Sequence, residues 1–597
     1  MHRVGFLHIA AAVALAVCGL TANAAGEHSG SAITWQRDDT AAFADARKQK
    51  RFVLLYLEAV WCHWCHVMDE RTYGDAAVAE EVRAHYVPLR IDQDLRPDLS
   101  NRYKDYGWPA TVIFAPDGTE IAKRQGYVPP ERFLKLLRAV VADPSPEAAA
   151  AVDAGVSATT TSSLRDTVRG ELIKRHRNTY DADLGGLTTT QKFLDRDSVE
   201  YEIATALRGD TENAARAKKT LDAAHALIDP AWGGVYQYST DGDWQHPHYE
   251  KLALVQAQYL RIYALAYAAW QREEDRSAVA SIRRYLDAFL KSPGGAFYVS
   301  QDADLKPGEH SAEYFALDDA QRRAQGVPRV DKHLYALQTG QIAEALATWA
   351  EFSGDTNALA DARKAAEWAL RERALDGGGG FRHDARDAAG PYLGDTLAMG
   401  RAFLALYRAS ADRIWLQRAN AAAAFIEKNF RASAGYASAR SSGPIAAVPL
   451  LEENIALSRF ANLLARYSGD AHQRDIATHA MRYLADPKIA LASITEAGIL
   501  LADDEIARDP LHFTVVGSRS DADAAVLFAG IQRIPGWYKR AEWWDRSEGA
   551  LPNADVAYPP VKKAAAFVCT ENRCSLPIYA AGRIGEFLAQ DAAPTSP

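Results

Sequence analysis

Val60-Trp61-Cys62-His63-Trp64-Cys65-His66 decides how the rest of this chain is read. It sets two thiols three positions apart among two imidazoles and two indoles. The preceding run, Arg51-Phe52-Val53-Leu54-Leu55-Tyr56-Leu57, is apolar, branched and aromatic, which is the pattern of a buried strand. Val67, Met68, Val78, Val82 and Tyr86 follow at spacings that predict a helical face. Strand, Cys-x-x-Cys, helix is the order of a dithiol redox site. At a helix N-terminus the unpaired N–H groups and the helix dipole favour thiolate over thiol, and a cysteine pKa there falls to roughly 3.5–7.5. Cys62 is therefore the expected nucleophile. Cys65, one turn further in, is the expected resolving thiol that attacks the mixed disulfide.

Three other readings use the same residues. Cys62-His63-Trp64-Cys65-His66 also fits the Cys-x-x-Cys-His attachment pattern of c-type haem. Two thiolates and two imidazoles are zinc ligand types, provided both histidines turn to the side of the sulfurs. The pair could also be a purely structural disulfide. The redox reading gains from a second motif, Tyr106-Gly107-Trp108-Pro109-Ala110-Thr111-Val112-Ile113-Phe114. In a thioredoxin fold a cis-proline opens a strand beside the cysteines, and its missing N–H leaves room for substrate backbone. Pro109, ahead of a β-branched run, suits that place. Haem attachment accounts for neither the strand nor the proline loop, so no cofactor and no metal are expected.

Met1-His2-Arg3 supplies a short basic start, Ile9 to Leu20 an apolar stretch, and Ala22-Asn23-Ala24 a small-x-small cleavage site. Residues 1–24 are therefore expected to be a signal peptide, giving a periplasmic or secreted protein. Val17 is large for the position before a lipidated cysteine, which argues against an anchor at Cys18. The apolar stretch is also short for a membrane span, so no stable membrane insertion is expected after cleavage. Cleavage removes Cys18 and leaves Cys62, Cys65, Cys569 and Cys574. An oxidising compartment permits structural bridges, but 597 residues with 48% apolar content can bury a large core without them. Redox chemistry is thus the better account of the first pair. A net charge of −9 with no basic run gives no support to nucleic-acid binding.

Residues 32–142 read as one α/β domain. Beyond the strand and helix already described, it has a strand at Ile33-Thr34-Trp35, a helix from Asp39 to Lys48 and strands at Tyr86 to Asp92 and Thr111 to Phe114. Glu120 to Arg124 adds a strand after the Asp117-Gly118 turn, and Pro130 to Val141 closes the unit as a helix. Residues 143–163 are rich in Ala, Ser, Thr and Pro and read as a linker, with a short helix around Pro146 to Asp153. Residues 164–510 are Ala/Leu-rich helical segments punctuated by Gly185-Gly186-Leu187, Gly233-Gly234-Val235-Tyr236, Gly294-Gly295-Ala296-Phe297-Tyr298, Gly379-Gly380-Phe381 and Gly435-Tyr436. Each interval holds two helices, which suggests a closed α/α toroid. Residues 511–597 form a small α/β appendage, with strands at Leu511 to Gly517 and Ala564 to Cys569 and helices at Ala522 to Phe528 and Gly582 to Gln590. Cys569 and Cys574 could bridge a hairpin loop there or exchange with Cys62 and Cys65.

Trp61-Cys62-His63-Trp64-Cys65-His66-Val67-Met68, Arg90-Ile91-Asp92, Arg96-Pro97-Asp98-Leu99 and Gly107-Trp108-Pro109 together resemble the thioredoxin-like domain of the spermatogenesis-associated protein 20 family. The likeness continues through Tyr180-Asp181, Gly185-Gly186, Lys192-Phe193 and Tyr238-Ser239-Thr240-Asp241 with Trp244. It then takes in Pro247-His248-Tyr249-Glu250-Lys251, Gln301-Asp302-Ala303-Asp304 and the closing cysteine pair, essentially the whole mature chain. The resemblance implies a thioredoxin-like domain fused to a six-hairpin (α/α)6 toroid of the glycosidase and sugar-epimerase kind. Two departures stand out. Leu252-Ala253-Leu254-Val255-Gln256 replaces a Met-Leu-Tyr-Asp-Asn run, and Leu337-Gln338-Thr339 replaces Trp-Asn-Gly, so the toroid's polar centre is partly eroded.

Glycoside hydrolysis needs two carboxyl groups facing each other at roughly 5–10 Å. Asp241, Glu250, Asp302 and Asp304 are the candidates, while His246, His248 and Glu250 could serve epimerase-type proton transfer. Trp232, Tyr236, Tyr238, Trp244 and Tyr249 could stack on a sugar. The structural alternative is that the carboxylates cap helices and the aromatics pack loops. At the thiol site, thioredoxin keeps a buried acid six positions before its first cysteine, and here that position is Tyr56. Proton handling for Cys65 then falls to Glu58, His63 or His66, with Trp61 in support. The expected function is thiol–disulfide exchange through Cys62 and Cys65 beside Pro109, on protein thiols or disulfides, with the toroid docking substrate or carbohydrate. A sugar-active toroid regulated by the redox unit, and a non-catalytic binding protein, are the alternatives.

Overall fold

The computed structural model describes residues 33–104, 107–147, 161–309, 311–387, 389–440, 443–570 and 573–592. The expected signal peptide, Cys18, Tyr106 and most of the expected linker lie outside the described residues.

Strands β1 (Phe52–Glu58), β2 (Tyr86–Asp92), β3 (Ala110–Phe114) and β4 (Glu120–Gln125) form a sheet in the order β2-β1-β3-β4. β1 runs parallel to β2, from Phe52 against Tyr86 to Glu58 against Asp92, and antiparallel to β3. Its residues from Val53 onward are all buried, as a continuous apolar run requires when both faces of a sheet are covered. Val53, Leu55 and Leu57 pack with Phe43 of α1 (Asp39–Gln49) and with Leu99 and Tyr103 of α4 (Pro97–Tyr103). Leu54 and Tyr56 point the other way, into a core with Met68 of α2 (His63–Arg71), Val78 and Val82 of α3 (Ala76–His85), and Phe133 and Leu137 of α5 (Pro130–Ala142). This is the expected thioredoxin-like unit.

Three local expectations need correction. Ile33-Thr34-Trp35 is not a strand: only Gln36 bridges, to Leu89, while Trp35 turns its ring onto Tyr56 and Tyr73. The helical pattern after the cysteines is two helices, because Asp75 caps α3 by accepting from Ala77 N and Val78 N, and Tyr86 already belongs to β2. The described start of the expected helix around Pro146 is extended, with Glu147 N donating to the Ile121 carbonyl.

The helical body runs through α6 (Asp166–Asn178), α7 (Arg196–Ala206), α8 (Thr211–Ala224), α9 (Ala253–Trp270), α10 (Glu273–Tyr285), the short α11 (Ala312–Phe315) and α12 (Asp319–Gln325), and α13 (Ala336–Ser353). It continues with α14 (Thr356–Glu372), α15 (Leu393–Ser410), α16 (Arg413–Phe430), α17 (Leu451–Ser468), α18 (Ala471–Leu484), the short α19 (Pro487–Ala490) and α20 (Ala497–Ala507). Five sequential hairpins pair α7 with α8, α9 with α10, α13 with α14, α15 with α16 and α17 with α18, and α20 takes α6 as its partner to make a sixth. The inner helices touch in the ring α7-α9-α13-α15-α17-α20 and back to α7, so the toroid closes. Helices α9, α13 and α15 are buried almost all round, as inner helices must be. The glycine pairs lie where a loop presses on an outer helix. At Gly233, φ +74°, an added Cβ would sit 2.2 Å from the Ser281 carbonyl oxygen, and at Gly234 2.5 Å from the Tyr285 ring.

Short strands mark the toroid's loop end: β5 (Tyr238–Ser239) with β6 (Pro247–His248), and β7 (Lys251–Leu252), β8 (Ser300–Gln301) and β9 (Val330–Asp331) as one small sheet. The appendage has the sheet order β11-β10-β12, from β10 (Leu511–Val516), β11 (Lys539–Trp544) and β12 (Ala565–Cys569), with α21 (Ala522–Gln532) and α22 (Ile584–Ala592). The sequence reading does not anticipate β11. No helix among the described residues is long and apolar enough to cross a membrane.

The thioredoxin-like unit caps the toroid's loop end. Ile445 joins the core beneath α1 and α4, Arg102 donates to the Ala446 carbonyl at 2.9 Å, and Lys104 pairs with Glu452. His383 meets the Asp94 carbonyl oxygen at 2.7 Å.

Candidate functional site

Cys62 is the N-cap of α2, and its Sγ accepts the Cys65 N–H at 3.1 Å. The two cysteines are joined as a disulfide, and the Trp108–Pro109 peptide is cis, as the proline loop predicts. Cys62 is only 4% exposed and Cys65 is fully buried. Trp61, Cys62, Trp64 and Trp108 form one wall of a cavity of about 230 Å³. Its other wall belongs to the toroid: Phe193, Leu194, Tyr238, His248, Glu250 and Tyr259. The dithiol thus opens into a chamber made by both units.

The surroundings of the cysteines redistribute the roles expected of them. Tyr56, in the place of thioredoxin's buried acid, donates its hydroxyl to the Cys65 carbonyl at 3.2 Å. Glu58 is held by Arg90, whose guanidinium grips both its oxygens and also reaches Asp69 at 2.7 Å. Burial pushes Asp69 up to about 6, against the pull of Arg90. Trp61 Nε1 donates to Asp94 Oδ2 at 2.7 Å, which anchors the loop ahead of the cysteines.

His63 and His66 both turn to Asp304 of the toroid. His63 Nδ1 lies 3.0 Å from Asp304 Oδ1 and His66 Nδ1 lies 3.3 Å from Oδ2. The sulfurs are joined to each other and both imidazoles turn to a carboxylate, so the two thiols and two imidazoles do not converge as the alternative zinc reading requires. Burial alone would raise the Asp304 carboxyl, but hydrogen bonds from the two imidazoles hold it down at about 2. His63 is raised by its hydrogen bond to Asp304; His66, which burial would lower, is raised by the same carboxylate. Burial pushes Asp302 up to about 6 and Glu250 up to about 7, the latter helped by the charges of Asp302 and Asp304.

The other toroid candidates divide. Asp241 and His246 lie on the β5–β6 hairpin with side chains 70% and 57% exposed, and His246 pairs with Asp243 at 3.0 Å. Neither lines the chamber that holds Glu250, and Asp241 takes φ 62° at the hairpin tip. His248 stacks on Tyr238 and comes within 3.8 Å of Glu250 Oε2. Of the proposed sugar-stacking aromatics only Tyr238 lines the chamber. Trp232, Tyr236 and Trp244 are core residues, and Tyr249 stacks on Phe315. Two small cavities of about 70 and 50 Å³ are both lined by Arg261, Glu344 and Arg459, the smaller also by Glu200, and these side chains are joined by ion pairs. Cys569 and Cys574 form a second disulfide that lines a different cavity, of about 550 Å³, with Arg466 and Arg540, so the two pairs share no chamber.

The sequence reading names Glu250 only for sugar chemistry. That it lines one chamber with Cys62, almost two hundred residues away in sequence, is something no local pattern signals.

Residues 23–142 match the family model Thioredox_DsbH, described as a protein of unknown function, DUF255. An uncharacterized protein of Caenorhabditis elegans is 24% identical over 318 residues, 48% of this chain and 43% of that protein. Human spermatogenesis-associated protein 20 is 26% identical over 318 residues, 47% of this chain and 40% of its own length. The thiol:disulfide interchange protein DsbD of Pseudomonas fluorescens is 34% identical over 82 residues, 13% of this chain and 14% of that protein. Among solved structures, the cellobiose 2-epimerase of Bacillus thermoamylovorans overlays at TM-score 0.43 and 11% identity, over 54% of this chain and 87% of that one. The matched segment spans about two fifths of the length of the first two relatives. Over about half its length the chain is a homologue of the proteins named spermatogenesis-associated protein 20, and its N-terminal unit matches a thioredoxin-like, DsbH-type family model.

Proposed function

We propose that this is an exported thiol–disulfide oxidoreductase whose substrate reacts in the chamber between the dithiol and the mouth of the toroid. The observation that carries the reading is the place of Cys62: at a helix N-terminus, packed with Trp108 of the cis Trp108–Pro109 peptide, with its sulfur accepting a backbone N–H and lining the shared cavity. The N–H that meets the sulfur would stabilise a thiolate. In the reducing direction the Cys62 thiolate attacks a substrate disulfide, forming a mixed disulfide and releasing one substrate thiolate. Cys65 then attacks Cys62 Sγ, closing the Cys62–Cys65 disulfide and freeing the second substrate thiol. Each substrate sulfur gains one electron and the two cysteines lose one each; the oxidising direction runs the same steps backward. In the oxidising direction, where a substrate thiol attacks the Cys62–Cys65 disulfide, Glu250, close to neutral in pKa and in the same chamber, is suited to take the proton of that thiol.

A chamber of this size, with Cys62 almost wholly covered, admits a small thiol compound or an extended chain end rather than a folded protein surface. The toroid acts as the wall that selects it. The signal-like residues 1–24 support action outside the cytoplasm, which cell fractionation checks.

The test is glutathione equilibration and thiol alkylation of the purified protein, after an absorbance spectrum. The expected result is no Soret band, a Cys62 thiolate at neutral pH, and a potential between those of thioredoxin and the strong periplasmic oxidants. Cys62→Ser should abolish exchange, and Cys65→Ser should accumulate the mixed disulfide. A Soret band, or a disulfide inert to glutathione, overturns the reading; loss of a sugar-directed activity in Asp302→Asn with exchange intact would move the chemistry to the toroid.

A further inference from the structure

His63 and His66 lie one turn apart at the start of α2 and direct their Nδ1 atoms to the same carboxylate. Asp302, two residues before that carboxylate and 5% exposed, accepts the Asp304 N–H at 2.9 Å. One donor atom from each of His66, Asp302 and Asp304 lies within 4.8 Å of the other two.

The orientation of His66 narrows what this cluster is for. Its Nε2 faces the Val60 carbonyl at 3.2 Å, so as an imidazolium it donates to both Val60 and Asp304, whereas a neutral ring that donates to Val60 presents its Nδ1 lone pair to Asp304 Oδ2 at 3.3 Å. Two electron-rich atoms at that distance, both nearly dry, need a positive charge on or between them. An imidazole whose second nitrogen donates to a backbone carbonyl is what metal-ligating histidines present. The spacing agrees: with Zn–N and Zn–O near 2.0–2.2 Å, donors of a tetrahedral site lie about 3.3 Å apart. His66 Nδ1 lies 3.3 Å from Asp304 Oδ2, and the donor atoms of His66, Asp302 and Asp304 all lie within 4.8 Å of one another.

We infer that His66, Asp302 and Asp304 form a site for a divalent transition metal, with Zn²⁺ as the ion their one-imidazole, two-carboxylate donor set suits and His63 holding Asp304 from the side. Neither sulfur takes part. The site joins helix α2 of the thioredoxin-like unit to the loop after β8 in the toroid, and so ties the dithiol to the wall of its chamber. It is independent of the exchange reading, since it would stand with both cysteines removed.

The experiment uses the full chain carrying Cys62→Ser and Cys65→Ser, so that thiolates contribute no ligand, stripped with a chelator and titrated with Zn²⁺ against a chromophoric indicator. One equivalent per chain is expected, with affinity falling at least tenfold in Asp304→Asn and in His66→Gln. Circular dichroism checks that both variants fold, and Co²⁺ in the parent should give the visible bands of a tetrahedral nitrogen–oxygen site. Absence of stoichiometric binding, or binding that Asp304→Asn and His66→Gln leave unchanged, overturns the inference and makes the bridging charge a proton.

Discussion

Glu250 ionises in surroundings that penalise its charge: it is 3% exposed and faces Asp302, Asp304, His63 and His248. Its pKa rises from 4.5 unfolded to about 7 folded. Between those values the folded chain holds a proton the unfolded chain has released, so stability falls as pH rises through the window. Glu250→Gln keeps the shape and removes the titration. Urea unfolding should find it more stable than the parent by about 3 kcal/mol at pH 8 and no more stable at pH 4. If Glu250 also accepts the thiol proton, the same variant should slow exchange on the order of 10²-fold and flatten its pH profile near 7. Cys62, Cys65 and Pro109 were legible in sequence because each carries its meaning in its immediate neighbours. The sequence reading offers Glu58, His63 or His66 for the proton path, and no local pattern signals that Glu58 is gripped by Arg90 from the neighbouring strand.

Arg90 on β2 binds Glu58 on β1 and Asp69 on α2, and its guanidinium lies 5.3 Å from the Tyr56 ring centre. Three elements that must align to present the dithiol therefore share one cation. Arg90→Met leaves two nearly buried carboxylates without it, and a loss of about 3–5 kcal/mol is expected in urea unfolding, with the double change Glu58→Gln/Arg90→Met recovering part of it. Elements built on apolar patterning, such as β1, β3 and the inner helices, were readable because burial and sequence period agree. β11 was not, because Lys539, Arg540 and Glu542 look like a solvated segment. Each is buried there and met by a partner elsewhere in the chain, Glu351 for Lys539, Asp555 for Arg540 and His512 for Glu542. A strand satisfied by tertiary ion pairs has no local signature.

Capping of the toroid by the thioredoxin-like unit converts an exposed dithiol into a chamber, and the contacts that hold it differ in worth. The Lys104–Glu452 pair is about two-fifths exposed on both sides and contributes under about 1 kcal/mol, so Lys104→Ala should leave the chamber closed. Ile445 is 6% exposed within the core beneath α1 and α4, and burial of such a side chain is worth about 1.5–3 kcal/mol. Placing an unpaired carboxylate there adds the cost of a buried charge, so Ile445→Asp should lift the cap while each unit keeps its own core. Alkylation of the reduced protein reads this directly. In the parent, iodoacetamide should label Cys62 far faster than a polymer-linked maleimide, once both rates are scaled to a free thiol. In Ile445→Asp the two scaled rates should converge, and exchange with a folded protein disulfide should rise. Equal scaled rates in the parent would mean that the chamber does not govern access to Cys62, and that the toroid's part in substrate choice lies elsewhere.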